Sequence, residues 1–248
     1  MGLPSISDNR LRKLAVSDIG RTRFGEAWGL QQRLFHLRHY GLIGDTLLFT
    51  EHDHVYTIGK GGDENHLLAS PSELQEGGIE VFKIDRGGDI TYHGPGQIVG
   101  YPIIDLNLYF PDIHKYLRCL EETIILTLGE YGIEATREPD FTGVWVNGEK
   151  IAAIGVKVSK WVTMHGFALN VNTDLSKFGR IIPCGIFHKG VTSLNRVLDK
   201  KIDLADVQQK LASSFCQVFG CEPFCLDRAS LLRLAETVEP AQAGINNA

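Results

Sequence analysis

Three short segments combine residue types that can do chemistry together. The first is Arg86-Gly87-Gly88-Asp89-Ile90-Thr91-Tyr92-His93-Gly94-Pro95-Gly96-Gln97. Its glycines let the backbone turn tightly and approach a ligand closely, while Arg86 and His93 bring donors to the same place; a glycine-rich β-turn with no ligand reads the same way. The second is Gly148-Glu149-Lys150-Ile151-Ala152-Ala153-Ile154-Gly155-Val156-Lys157-Val158. Strand alternation places Lys150 on the face of Ala152, Ile154, Val156 and Val158, and Lys157 on the other with Ala153 and Gly155. An amine held among apolar groups loses hydration, which lowers its pKa and suits a base or a directed donor; beside a turn it can also snorkel to water. The third is Arg180-Ile181-Ile182-Pro183-Cys184-Gly185-Ile186, where Cys184 stands outside any periodic apolar pattern. A thiol so placed is an exposed nucleophile or an inert loop residue, and a neighbouring ammonium would favour its reactive thiolate.

Other chemistries find no support. Gly59-Lys60-Gly61-Gly62 lacks the upstream glycine and following hydroxyl of a phosphate-binding P-loop. His36, His39, His52, His54, His66, His114 and His188 form no H-x-x-x-H pair, so no metal is assigned and no cofactor is expected. The five cysteines are odd in number and lack C-x-x-C spacing, which argues against a disulfide framework or zinc site and for a reducing, cytoplasmic setting. Cys119 lies beside an apolar helical stripe and reads as a small core residue. Lys and Arg number 25 against 30 Asp and Glu, a net charge of −5, which excludes a general nucleic-acid binder. No apolar run reaches the ~18 residues of a membrane span, and MGLPSISDNR has no apolar leader core, with Ile6 where a myristoylation signal has Ser or Thr.

The elements that must position these residues follow from periodicity. Apolar residues at helical spacing predict helices over about Arg23–Tyr40, from Pro111 to Gly132, from Leu204 to Gly220, and a short one near Ala229–Val238. Between them, TLLFTEH, VYTIGK, EVFKID, DITYHG, QIVGYPIIDL, GVWV, KIAAIGVKVS and MHGFALNVN read as strands. Asn147-Gly148 is a type I′ hairpin signal, since both residues tolerate positive φ. Strands cluster centrally and helices lie at the ends, which predicts an α+β fold with a mixed, largely antiparallel sheet and flanking helices. No linker or repeat divides residues 1–248, so one domain is expected, with its core over about 20–220 and a frayed tail from about 239.

Taken together, Arg86-Gly87-Gly88, Thr91-Tyr92-His93, Gln97, Tyr101, Lys150-Ile151, Ile154-Gly155, His165-Gly166-Phe167-Ala168-Leu169-Asn170 and Pro183-Cys184-Gly185 resemble the octanoyltransferases of lipoate biosynthesis. EHDHVYTIGK agrees, so the resemblance covers roughly residues 20 to 200. It implies the fold of lipoate and biotin protein ligases and a nucleotide-independent transfer of octanoyl from acyl carrier protein. The acceptor would be a lysine of lipoyl domains, in 2-oxoacid dehydrogenase E2 subunits and the glycine-cleavage H protein. By the same resemblance Cys184 would form the acyl thioester and Lys150 would lower its pKa. Arg86 to His93 (Arg86, Gly87, Gly88, Asp89, Ile90, Thr91, Tyr92, His93), Ala153, Ile154, Gly155, Gly166, Phe167 and Ala168 would line the acyl substrate. Backbone N–H groups around Gly185, together with a donor such as His93 or Lys150, are candidates to stabilise the oxyanion, and Lys157, Lys160, Lys177, Arg180 and Lys189 are a candidate basic surface for acidic partners. An ATP-dependent lipoate–protein ligase of the same fold and a non-catalytic lipoyl-domain binding module are the competing readings; Cys184 argues against the first, and Cys184 with Lys150 against the second.

Overall fold

The computed structural model describes residues 11–182 and 190–237; Cys184, His188, Lys189 and the tail from 239 lie outside the described residues. The first half contains strands β1 (Arg12–Thr22), β2 (Asp45–His52), β3 (Val55–Ile58), β4 (Glu80–Lys83), β5 (Ile90–His93) and β6 (Gln97–Ile103), of which β2, β3, β5 and β6 are alternating or continuous apolar runs. The second half adds β7 (Thr136–Glu138), β8 (Phe141–Val146), β9 (Glu149–Ser159), β10 (Val162–Asn170) and β11 (Cys221–Cys225). Eight strands form one sheet in the order β11-β1-β2-β6-β10-β9-β8-β7, and β4-β3-β5 form a second. Only β1 with β2 and β1 with β11 run parallel in the large sheet, so the expected mixed, largely antiparallel α+β architecture is found.

Helix α1 (Phe24–His39) covers one face of the large sheet. Its Ala27, Leu30, Leu34 and Leu37 pack with Val99, Tyr101, Ile103, Met164 and Ala168. On the other face, α3 (Ile113–Gly129) and α5 (Leu204–Phe219) bury Leu120, Ile124, Leu128, Val207, Leu211 and Phe215 against Ile98, Ile151, Phe167 and Leu169. Asp112 and Asp203 cap these two helices through their side chains, and Gly220 ends α5 in the left-handed conformation. Among the described residues there are also three short helices: α2 (Pro71–Glu76), α4 (Leu194–Leu198) and α6 (Arg228–Thr237). The small sheet carries its own core of Tyr56, Ile58, Ile90, Tyr92 and Ile181. Among the described residues, no helix is long and apolar enough to cross a membrane.

Two hairpins frame β9. Asn147 and Gly148 turn with φ of 51° and 78°, as their sequence predicts. At the far end Lys160 and Trp161 hold φ of 48° and 66°, a left-handed turn made without glycine or asparagine and therefore invisible to turn chemistry. Between β8 and β9 the register slips: Trp145 lies opposite Lys150, but Val144 lies opposite Ala152. β9 thus carries one extra residue, Ile151, a β-bulge.

Candidate active site

The bulge decides where Lys150 points. Side chains invert at each step along β8, so Trp145 and Val144 face opposite ways, and their partners Lys150 and Ala152 do too. The expectation that Lys150 shares the face of Ala152, Ile154, Val156 and Val158 is therefore corrected. Ala152 is buried in the layer of α3 and α5, with Ile154, Val156 and Val158 packed against it. Lys150 lies with Trp145, its Nζ 4.8 Å from the indole centroid, and on the side of Ala153 and Gly155. Its Nζ also donates to the Thr142 carbonyl at 3.4 Å.

That side opens into a cavity of about 550 Å³. Its walls include Arg86, Gly87, Gly88, Asp89, Ile90, Thr91 and His93 from the glycine-rich segment, and Lys150, Ala153, Ile154, Gly155, Gly166, Phe167 and Ala168 from β9 and β10. The glycine-rich segment and the β9–β10 hairpin, far apart in the chain, are thus brought together. Ala153, Ala168 and Val99 stand opposite one another across β9, β10 and β6, and all three border the cavity. Small side chains here leave room that larger ones would fill. Gly155 serves a second purpose, because a Cβ there would lie 2.9 Å from the Gly87 carbonyl oxygen and 3.0 Å from Arg86 Cδ. The glycine-rich loop docks directly on β9, and the Gly87 N–H donates to the Val156 carbonyl at 2.9 Å.

One member of the segment departs from the sequence expectation, and another has an added role. Tyr92 does not border the cavity: strand alternation turns it away from Thr91 and His93 into the core of the small sheet, where its hydroxyl lies 2.7 Å from His54 Nδ1. Arg86 is buried, and its guanidinium donates to the Thr57 carbonyl (2.7 Å), the Thr57 hydroxyl (2.9 Å) and the Gly87 carbonyl (3.0 Å). It clamps the loop to β3 as well as walling the cavity.

Burial disfavours the charged form of His93 and His52, and their hydrogen bonds define the tautomers. His93 Nδ1–H donates to Gln97 Oε1 at 2.8 Å, an orientation set because the Gln97 amide N–H groups go to the Tyr92 carbonyl and Asn170 Oδ1. Its Nε2 therefore carries a lone pair toward the Thr57 hydroxyl. Burial pushes its pKa down to about 3. In this tautomer the one N–H of His93 is held by Gln97. His52 donates from Nδ1 to the Thr22 carbonyl and accepts the Tyr101 hydroxyl at Nε2, 2.7 Å away; burial lowers it to about 4.

His165, which the sequence reading placed only within a motif, borders the cavity at φ +61°, a strained conformation for a non-glycine residue. Its N–H is held by Gln31 Oε1, and its Nε2–H donates to Asp85 at 2.9 Å. Burial lowers its pKa to about 4. Burial alone would raise the Asp85 carboxyl, but hydrogen bonds from His165 and Lys157 more than offset this and hold it low.

Two members of the basic surface read from the sequence are ion-paired within the protein. Lys157 pairs with Asp85 at 2.6 Å and Arg180 pairs with Glu73, so their charges are neutralised locally; Lys189 lies outside the described residues. The Gly59–Gly62 turn is likewise no anion cradle. The amides of Gly59, Lys60, Gly61 and Gly62 all donate to backbone carbonyls of the protein.

Cys184 itself lies outside the described residues, but its flanks bear on the site. The Gly190 carbonyl accepts the backbone N–H of Lys150 at 2.9 Å, and the N–H of Ile182 donates to the His66 carbonyl. His66 Nδ1 in turn donates to Asp89, a cavity residue, at 2.6 Å.

Residues 24–216 match the family model described as the lipoyl protein ligase A/B catalytic domain. An octanoyltransferase from Christiangramia forsetii is 51% identical over 228 residues, covering 85% of this chain and 97% of that protein. One from Rubrobacter xylanophilus is 55% identical over 203 residues, covering 81% and 91%. Among solved structures, lipoate-protein ligase A bound with ATP superposes with a TM-score of 0.69 at 16% identity, covering 92% of this chain and 93% of that one. A bipartite lipoate protein ligase from Thermoplasma acidophilum gives 0.67 at 16%, covering 92% and 91%.

Proposed function

The chain belongs to the lipoyl protein ligase A/B catalytic-domain family and is an acyltransferase of its octanoyltransferase branch, and we propose that it carries the octanoyl group on Cys184 between two protein partners. The donor is octanoyl-acyl carrier protein, and the acceptors are lipoyl domains of 2-oxoacid dehydrogenase E2 subunits and the glycine-cleavage H protein. The observation that supports this best is the delivery of an amine, Lys150, by a bulge onto the wall of an apolar cavity, bonded through its own backbone to Gly190 in the segment that follows Cys184 in the sequence.

In the first step the Cys184 thiolate attacks the carrier thioester, the carrier thiolate leaves and takes up a proton, and one thioester replaces another. The exchange is nearly thermoneutral and consumes no nucleotide. In the second the acceptor amine attacks the acyl-enzyme, an amide forms, and Cys184 is released. Lys150 favours the thiolate by its charge, and when neutral removes the proton that the attacking amine gives up. Its N–H groups, with backbone N–H groups around Gly185, are also candidate oxyanion donors, a role whose removal costs about 3–4 kcal/mol in other enzymes. Ala153, Gly155, Ala168 and Val99 line the acyl chain, whose burial contributes ~0.8 kcal/mol per methylene.

The test is intact-mass analysis of the purified protein incubated with octanoyl-carrier protein, followed by addition of a lipoyl domain without nucleotide. An octanoyl adduct on the protein, absent in Cys184→Ser and discharged onto the lipoyl domain, is expected. An adduct that survives Cys184→Ser excludes this nucleophile, and transfer that requires ATP and magnesium returns the ligase reading.

A further inference from the structure

Glu121 is a carboxylate with no exposed surface, carried on α3 and facing β8. One of its oxygens, Oε2, accepts from Arg118 Nη1 at 2.7 Å and from Arg137 Nε at 3.1 Å, while Arg137 also pairs with Glu122. The other, Oε1, accepts the Gly143 backbone N–H at 3.1 Å. That N–H and the Thr142 carbonyl belong to the same peptide unit, and the Thr142 carbonyl accepts from Lys150 Nζ at 3.4 Å. A peptide plane is rigid, so fixing its N–H fixes the direction of its C=O.

Gly143 sharpens the point. Its φ is +138°, and a Cβ there would lie 2.7 Å from the Ala152 carbonyl oxygen and 3.4 Å from Lys150 Cε. The lysine side chain therefore runs across a bare stretch of β8 whose orientation a buried anion sets from behind. A carboxylate is an expensive group to bury, and two arginines plus one amide are needed to hold it there. Core packing alone would be served by an apolar residue at this position.

We propose that Glu121 is a positioning residue for Lys150: through the Thr142–Gly143 peptide it holds and polarises the carbonyl that aims the lysine ammonium into the cavity. This rests on the functional reading of Lys150 given above, and adds to it a residue that touches neither substrate nor thiol. Gln at position 121 would bring an amide N–H toward the two guanidinium groups and remove the negative charge behind the peptide. The carbonyl would then be a weaker and less well aimed acceptor for the ammonium.

The experiment is trace labelling of Lys150 with acetic anhydride as a function of pH, read by peptide mass spectrometry on the full chain. Steady-state transfer kinetics are measured in parallel. In Glu121→Gln the labelling midpoint of Lys150 is expected to fall by about half a pH unit or more, a change that a purely structural role would not produce. The transfer kcat should drop about tenfold while KM stays within about twofold. Should Glu121→Gln fail to fold, Glu121→Asp keeps the charge for both arginines but falls one methylene short of the Gly143 N–H, and the same midpoint shift is expected. A folded variant with the wild-type midpoint overturns the proposal. A shifted midpoint in a protein that transfers no acyl group even as wild type would leave the positioning role standing and remove the transferase reading instead.

Discussion

Enlarging Ala168 should shorten the acyl chain that the protein prefers. Ala168 is buried on β10, lies opposite Ala153 on one side and Val99 on the other, and borders the cavity. Leucine at this position adds three carbons, which displace roughly three methylenes of a bound chain. At ~0.8 kcal/mol per methylene the loss is about 2.4 kcal/mol, or roughly 60-fold in kcat/KM for octanoyl. Chains short enough to end before the new side chain lose nothing by this mechanism. The assay compares kcat/KM for butanoyl-, hexanoyl-, octanoyl- and decanoyl-carrier protein with wild type and Ala168→Leu, together with the thermal midpoint of each protein. Overpacking costs about 1–3 kcal/mol of stability, so a lowered midpoint is expected as well. Equal losses for all four chain lengths would mean that the cavity wall at Ala168 does not meet the acyl group, and the assignment of the cavity would fail with it.

Lys150→Ala should raise the pH at which Cys184 becomes reactive, seen as a displaced pH profile of iodoacetamide alkylation; an unmoved profile would separate the two residues. Gly155→Ala should drive the glycine-rich loop off β9, since its methyl would meet the Gly87 carbonyl at 2.9 Å, costing about 1–3 kcal/mol in chemical denaturation and most of the transfer activity. Stability should also fall steeply with acid. His52, His93 and His165 are depressed from 6.5 to about 4, 3 and 4 by burial, so the unfolded chain gains protons there as pH drops below 6.5 while the folded chain resists. Their contribution is complete above pH 6.5 and is lost toward pH 4, measurable as the decline of thermal midpoint across that interval; a flat midpoint would show that these imidazoles are not buried as described.

The long helices were readable because a wide apolar stripe is a one-dimensional signal: α1, α3 and α5 fall within a few residues of their periodic patterns. The Asn147-Gly148 turn was readable because two residue types uniquely tolerate its dihedrals. β1 escaped notice since its charged and polar positions, Arg12, Lys13, Asp18 and Arg21, interrupt the apolar ones. Its stability comes from parallel neighbours β2 and β11 that no local pattern announces. α2 had a local signature that went unread, a capping box between Ser70 and Glu73 with Pro71 inside the first turn.

At the site, residue types and their spacing found the cavity walls but not their orientation. Alternation assigned Lys150 to the wrong face because a bulge is a property of two strands in register, and one strand's sequence does not contain it. The neutral tautomer of His93 follows from Gln97 and Asn170, the latter 73 positions from Gln97 along the chain. Glu121 reads on the helix as one more polar residue, and only the approach of Arg137 and Gly143 reveals it as buried.

The unmatched Ile151 has a meaning beyond local geometry. It acts as a phase inverter, so which layer receives the amine is stored as an odd or even count of residues between the 147–148 turn and the body of β9. A descendant that lost a single position in that interval could keep every catalytic letter and the whole sheet, yet present its nitrogen to the oily layer beneath α3. Parity, which no list of residue types records, therefore matters here alongside identity.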